Sequence, residues 1–347
     1  MTDIIIRKKG RAGHITLNRA NVLNALTWDM CLAIENALDQ WRTDQDVALV
    51  VIDGAGDRAF CSGGDIAEMY AAGKRGDMGY GRLFWRDEYR LNAKIFNYSK
   101  PIVTFLHGFT MGGGVGIGCH GSHRIVCETS QIAMPECSIG LVPDVGGSLI
   151  LAEAPGHCGE YLGLTGDRMD AGDAIYVGFA DHYVPDATWG ILKNMLIEEG
   201  DVRAVAKYSQ AAPAARLAGW QREIDSCFAG QTLADIYCAV PDSPGPAVTH
   251  AKKLMARNAP LGMAVATQII QSVRRDPQIE NALDQEFRYT YRCVEQGDFI
   301  EGIRAAIIDR DRAPKWQHPS GEPVPAADVA KMRGDLAKEA LQWEERS

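Results

Sequence analysis

The sequence predicts a fold of the mixed α/β or α+β class. Three observations carry that prediction. An apolar run of strand length, Val47 to Ile52, passes through the glycine-bearing segment DRAFCSGGDIAEM at residues 57 to 69 into a helical pattern. A second run, Ile102 to Leu106, ends in His107 and Gly108 and leads through Gly112, Gly113 and Gly114 into another helical stretch. The segment from His250 to Arg310 instead carries mainly helical periodicity. Strands among helices, followed by helices alone, place the chain in the mixed class.

Each element has a local reason. Residues 3 to 18 read as a hairpin, with DIIIRK and AGHITLN flanking a turn at Lys9 and Gly10. Thr27 is placed to cap an amphipathic helix from Trp28 to about Trp41. Residues 74 to 99 predict a helical region in which Phe84, Leu91 and Ile95 mark one buried face. Glu88 lies three or four residues from Trp85, Leu91 and Asn92, so it points partly inward or pairs with Arg86, Arg90 or Lys94. The glycine triplet opens a helix continuing through Val115 to Cys119. Beyond Leu151, small residues and turn signals predict short helices, then a longer one from Asp186 to Glu199. Residues 200 to 246 loosen into Ala-rich segments and VPDSPGPA, which read as a linker or exposed loop. The tail after Trp316 is proline-rich to Pro325 and then a charged, peripheral helix. No internal repeat is visible in the sequence.

Composition narrows the class of function. A chain of 347 residues with 46% hydrophobic and 23% charged residues can bury a large core. The net charge of −9 argues against nucleic acid as the main partner, although it permits a local basic patch for phosphates. The nine cysteines include no C-x-x-C pair and point to a reducing compartment rather than a disulfide framework. The N-terminus lacks an apolar core of signal-peptide length and makes a poor transit peptide, and no stretch reaches membrane-span length; the cytoplasm is the expected location.

The chemistry concentrates between Lys100 and Leu151. Consecutive glycines let a ligand approach the backbone, and N–H groups at a helix start suit a developing negative oxygen; the same glycines also allow close helix packing. A phosphate loop is disfavoured because the GK[ST] ending is missing. Glu136 in AMPECSIG and Asp144 in LVPDVGG each follow a proline and sit among apolar residues. Such a pair can divide acid and base work, or each can cap a helix or turn. His120 and His123, with Cys119 and Cys127 nearby, permit a metal reading on a shared helical face, but no full ligand set is evident. Cys61 beside the first glycine element is a nucleophile candidate without a marked base. Packing is the expected role of all of these histidines and cysteines.

Two strand, glycine and helix elements in one chain resemble those of the crotonase (enoyl-CoA hydratase/isomerase) superfamily. The resemblance implies a crotonase-like spiral of repeated ββα units with a helical C-terminal region. It divides the chain into residues 1–200, a core holding the CoA site, and residues 201–347, a helical region covering the active site or forming subunit contacts. It also implies an oxyanion hole from the backbone N–H groups of Gly64 and Gly113. Where hydratases carry one of their two glutamates, this chain has Gly116; the other matches Glu136. Asp144 stands where hydratases have a small residue. The runs MGGGVGI, MPE, PDVGG and GDFIEGIRAAIIDRDRAPKW together resemble the 3-hydroxyisobutyryl-CoA hydrolases of valine breakdown, a branch of that superfamily, over nearly the whole chain.

That branch implies a thioesterase. Glu136 activates water or attacks the carbonyl itself, Asp144 orients water or glutamate or protonates the departing thiolate, and Glu88 reaches the substrate near its hydroxyl. The loop from Arg19 to Ala25, including Val22, lies against CoA in the resembled family, as do Gly64, Asp65 and Ile66. No metal or cofactor is implied beyond the CoA of the substrate, and the C-terminal helices are expected to support a homo-oligomer. The alternatives are a hydratase or isomerase on the same scaffold, and a non-catalytic subunit of a larger assembly.

Overall fold

The computed structural model describes residues 2–343, which form two compact units of separated segments. The first comprises residues up to Gly64, Asp87–Ala133 and Arg168–Arg216; the second comprises Asp65–Arg86, Met134–Asp167 and the chain from Leu217 on. The segments of the units alternate along the chain.

All strands of the described residues belong to the first unit: β1 (Ile4–Lys9), β2 (Ala12–Leu17), β3 (Leu49–Gly54), β4 (Ala59–Cys61), β5 (Ile102–Phe105), β6 (Phe109–Met111), β7 (His123–Val126), β8 (Gln131–Ala133) and β9 (His182–Tyr183). They form a six-stranded sheet of order β1-β2-β3-β5-β7-β9 and a three-stranded sheet of order β4-β6-β8. Only β1 and β2 pair antiparallel, as the hairpin predicts, with Ile4 opposite Leu17 and Lys9 opposite Ala12. Three successive strand pairs, β3 then β4, β5 then β6, β7 then β8, each send their first member to the larger sheet and their second to the smaller. These pairs are the strand component of the expected ββα units.

The long parallel strand β3 is buried along Leu49–Asp53, because both faces of a parallel sheet are covered. The helix Trp189–Glu199 lays Trp189, Leu192, Leu196 and Ile197 against Val51, Val103, Phe105 and Ile125. The helix Trp28–Arg42 starts as its sequence predicts, with Thr27 accepting from the Met30 N–H at 3.2 Å.

Asp53, on β3, is a buried charge inside this unit. It accepts from His14 Nε2 at 3.1 Å and from Lys193 Nζ at 2.8 Å. Burial alone raises its pKa, but the His14 hydrogen bond and the Lys193 charge outweigh burial and hold the carboxyl well below the usual carboxylate range. A carboxyl lowered in the folded state stabilises the fold above its unfolded value near ~4 and loses that contribution as pH falls through the folded value. Asp53→Asn is therefore expected to destabilise the protein by about 3 kcal/mol at pH 7, and to remove the corresponding part of the acid limb. Urea unfolding of both proteins at neutral and acid pH measures this; equal stability at pH 7 contradicts it.

The second unit is helical. Pro260–Arg275 is buried on nearly every side, through Leu261, Met263, Val265, Ile269, Ile270 and Val273, and packs against Gly147–Glu153 and Cys158–Thr165. Glycine permits the last two helices to touch, since a Cβ on Gly159 would lie 1.8 Å from the Leu151 carbonyl oxygen. Arg274 clamps the fully buried Glu160 through Nη1 and Nη2, which satisfies a carboxylate that burial would otherwise penalise. The helix Ile279–Gln296 adds Leu283, Phe287 and Tyr289 to the core.

Two expectations are corrected. The loose region around residue 220 is helical, Arg216–Phe228 and Leu233–Cys238, with Ile224, Phe228 and Ile236 buried. Its second helix starts in a capping box of Thr232 and Asp235, which alanine-rich composition conceals. The glycine elements do not follow directly from the long apolar strands: β4 and β6 intervene, each three residues long and too short to show alternation.

Candidate active site

The first unit brings the two glycine elements together. The neighbouring parallel strands β4 and β6 lead into Ser62, Gly63 and Gly64 and into Gly112 and the helix Gly113–Gly118. Gly63 has φ +110 and Gly112 φ +50, conformations that favour glycine. A Cβ on Gly113 would stand 3.3 Å from the Gly64 nitrogen, so the two residues assigned to one oxyanion hole are in direct juxtaposition.

Glu88 belongs to the same cluster. Its Oε1 occupies the space beside Gly113, 2.7 Å from where a Cβ would be. The helix Met78–Phe96 presents it on the apolar face with Leu91 and Ile95, and Glu88 is 3% exposed. The neighbouring face explains how that orientation is kept. Asp87 accepts from Trp28 Nε1 at 2.7 Å and from Arg90 Nη1 at 2.7 Å, and Arg90 also grips Glu35 at 2.8 and 2.6 Å. Lys94 bonds Glu35 and Asp39. Arg90 and Lys94, two of the three basic residues considered as partners for Glu88, thus anchor the helix to Trp28–Arg42, whereas Arg86 donates to the Glu339 carbonyl.

The loop Arg19–Ala25 is strapped to the first glycine element. Leu26 N–H donates to the Gly63 carbonyl at 2.8 Å, and Ser62 N–H to the Leu23 carbonyl at 3.0 Å. Arg19 Nη1 donates to the Ala25 carbonyl at 2.6 Å, which braces the loop, and Val22 is 42% exposed at its crest. Asn24 is a residue that sequence reasoning missed. It adopts φ +55, and its amide donates to the Ala55 and Ala59 carbonyls at 2.9 Å while its oxygen accepts from Arg19 N–H. Asparagine's tolerance of this conformation was the available signal. Asp65 and Ile66 open the helix Ile66–Lys74 in the second unit.

In the second unit, Glu136 begins a short 3-10 helix, Glu136–Ile139, and is 4% exposed. The turn behind it is fixed: its carbonyl accepts from Leu141 N–H at 3.0 Å, the Cys137 carbonyl from Ala259 N–H at 2.8 Å, and the Gly140 carbonyl from Tyr289 Oη at 3.0 Å. Asp144, also 4% exposed, precedes two left-handed residues, Val145 at φ +55 and Gly146 at φ +77. The cap of the next helix, a role considered for Asp144, is supplied by Glu286: its carboxylate accepts from Gly146 N–H at 2.8 Å and Ser148 N–H at 3.1 Å.

The other candidates have different roles. Burial pushes the Cys61 thiol up to about 12, so little thiolate exists near neutral pH, and its thiol donates to the Gly63 carbonyl. His120 and His123 do not share a helical face, because the helix ends at Gly118 and His123 begins β7. His120 packs edge-on to Phe96, and His123 stacks on His182. Among the described residues no group of three or more His, Cys, Asp or Glu side chains is placed to hold a metal, and no helix is long and apolar enough to cross a membrane.

Residues 12–332 match the family model described as Enoyl-CoA hydratase/isomerase. The chain belongs to this family. Its similarity to curated family members extends over almost the whole sequence. It is 36% identical to the mitochondrial 3-hydroxyisobutyryl-CoA hydrolase of Rattus norvegicus and 33% to that of Homo sapiens, in both cases covering 98% of this chain and 91% of the relative. Among solved structures, an enoyl-CoA hydratase from Rhodobacter sphaeroides 2.4.1 is 52% identical with a TM-score of 0.95, over 99% of this chain and 100% of that one. A carnitinyl-CoA dehydratase from Mycobacterium thermoresistibile is 38% identical with a TM-score of 0.94, over the full length of both chains. The expected crotonase-type fold is thus shared by solved members of the family.

Proposed function

We propose that this chain hydrolyses the thioester of 3-hydroxyisobutyryl-CoA, or of a closely related 3-hydroxyacyl-CoA, to the free hydroxy acid and CoA. The observation that carries the reading is the buried Glu88 carboxyl against Gly113, a recognition group for a hydroxyl beside the nitrogens assigned to the thioester oxygen. The names of the curated relatives, 33 to 36% identical, support the same substrate and a place in valine breakdown. So does Gly116, which leaves the chain without one of the two hydratase acids.

The N–H groups of Gly64 and Gly113 stabilise the negative oxygen as the carbonyl becomes tetrahedral. Glu136 activates water or adds to the carbonyl to form a mixed anhydride, and Asp144 orients the attacking group or protonates the departing CoA thiolate. Arg19, Val22, Ala25, Asp65 and Ile66 bind the CoA portion. No cofactor is required beyond the CoA that the substrate carries.

A hydratase is the second reading, favoured by the 52% identical Rhodobacter sphaeroides structure, which is named an enoyl-CoA hydratase. Thiol release from 3-hydroxyisobutyryl-CoA, measured beside loss of enoyl absorbance from crotonyl-CoA, separates the two. Thiol release without enoyl consumption supports the hydrolase; the reverse replaces it with the hydratase.

Selectivity tests Glu88. Glu88→Gln keeps the shape but replaces one carboxyl oxygen with an amide donor, and it is expected to lower kcat/KM for 3-hydroxyisobutyryl-CoA about tenfold or more, with little change for the matching acyl-CoA that lacks the hydroxyl. Equal losses on both substrates rule out hydroxyl recognition by this residue.

A further inference from the structure

We propose that Glu286 is the positioning residue for Asp144, holding the left-handed turn that presents it through hydrogen bonds from Gly146 N–H, Ser148 N–H and the Ser148 hydroxyl. The proposal rests on the role given to Asp144 above.

The helix Gly147–Glu153 begins without a side-chain cap of its own, because its N-cap is Gly146. The orphan donors of such a start need acceptors when buried. Glu286 supplies them from the middle of the helix Ile279–Gln296, remote in sequence and fully buried. A buried carboxyl is a costly way to fill a core position that leucine or methionine could occupy. What it provides is a fixed geometry: Val145, a β-branched residue at φ +55, has a conformation that its own preferences oppose. The turn therefore depends on bonds from outside it. Gly147, which lies between the two residues held by Glu286, donates its N–H to the Asp144 carbonyl at 2.7 Å, so the segment Glu286 fixes is continuous with Asp144.

The two carboxyls also sense each other. Burial pushes the Glu286 pKa up to about 8, the bonds from Ser148 and Gly146 hold it back, and the Asp144 charge adds to the rise. Burial thus favours the acid form of Glu286. The acid form keeps the network, since its O–H can donate to the Ser148 hydroxyl oxygen while the carboxyl oxygens still accept.

A double-mutant cycle on the full chain tests the proposal, with thiol release from 3-hydroxyisobutyryl-CoA as the readout and thermal unfolding as the control. Glu286→Ala is expected to lower kcat about a hundredfold, with KM changed by less than about threefold. Glu286→Gln should recover about tenfold of that loss, because an amide can accept from Gly146 and donate to the Ser148 hydroxyl but leaves Ser148 N–H unmatched. In an Asp144→Asn background, Glu286→Ala should cause little further loss, since a group acting through Asp144 has nothing left to position. A merely structural role predicts that the two losses multiply, and that result overturns the proposal. Wild-type turnover by Asp144→Asn removes the role of Asp144 and this inference together. Impaired Asp144→Asn beside wild-type turnover by folded Glu286→Ala removes this inference alone. Should Glu286→Ala not fold, Glu286→Gln in the same cycle decides.

Discussion

Glu136→Gln is expected to lower thioester hydrolysis about a thousandfold, while leaving the fold intact. The substitution preserves size and planarity, and the turn around Glu136 is held by backbone bonds from Leu141 and Ala259 and by Tyr289, none of which needs the carboxylate. The loss therefore reports chemistry. A general base contributes roughly 10²- to 10⁴-fold, and an amide can serve neither as base nor as nucleophile. Turnover in ¹⁸O-labelled water tests the nucleophilic role in the unsubstituted enzyme. Attack by the carboxylate forms an anhydride between Glu136 and the acyl group and releases CoA thiolate. Water opening that anhydride at the Glu136 carbonyl leaves ¹⁸O in the protein, so label in the peptide carrying Glu136 marks the nucleophile. An unlabelled peptide with labelled hydroxy acid places the water oxygen on the acyl carbon and excludes opening of an anhydride at the Glu136 carbonyl. Wild-type thiol release by Glu136→Gln contradicts both roles and the proposed mechanism with them.

What the sequence disclosed follows from how local each signal is. The glycines of 63–64 and 112–114 were readable because backbone freedom is a property of the residue itself, and a strand-to-helix change surrounds them. Glu88 was readable because helical periodicity puts it on the stripe of Leu91 and Ile95, which the structure buries. The short strands β4, β6 and β8 were not, since three residues cannot establish a period of two. Glu286 was hidden for a different reason. In DQEFRYTYR it looks like one more charge on an amphipathic helix, and its acceptors become meaningful only when the fold brings it to Gly146 and Ser148, some 140 residues away in the chain. The capping ambiguity at Asp144 had the same origin, because the residue that supplies the cap comes from another helix.

Gly113→Ala is expected to cost about a hundredfold or more in kcat/KM, together with a measurable loss of stability. Alanine is the better helix former by about 1 kcal/mol, so propensity at this first helical position favours the variant. Space opposes it: the new methyl would lie 2.7 Å from Glu88 Oε1 and 3.3 Å from the Gly64 nitrogen. Glu88 is buried and its helix is tied down through Asp87, Arg90 and Lys94, so its carboxyl has little freedom to retreat. Overpacking of this kind costs about 1 to 3 kcal/mol, which exceeds the propensity gain. The same displacement would shift the two nitrogens proposed to form the oxyanion hole. The two effects can be separated by Gly113→Ala combined with Glu88→Ala, which removes the carboxyl in the way. Stability should return, because the clash is relieved, whereas kcat/KM should stay far below that of Glu88→Ala alone, which already lacks the hydroxyl-recognising carboxyl, because the methyl still crowds the Gly64 nitrogen. Recovery of activity to the level of Glu88→Ala alone, along with stability, would show that steric strain alone, and not the placement of the N–H groups, accounted for the loss.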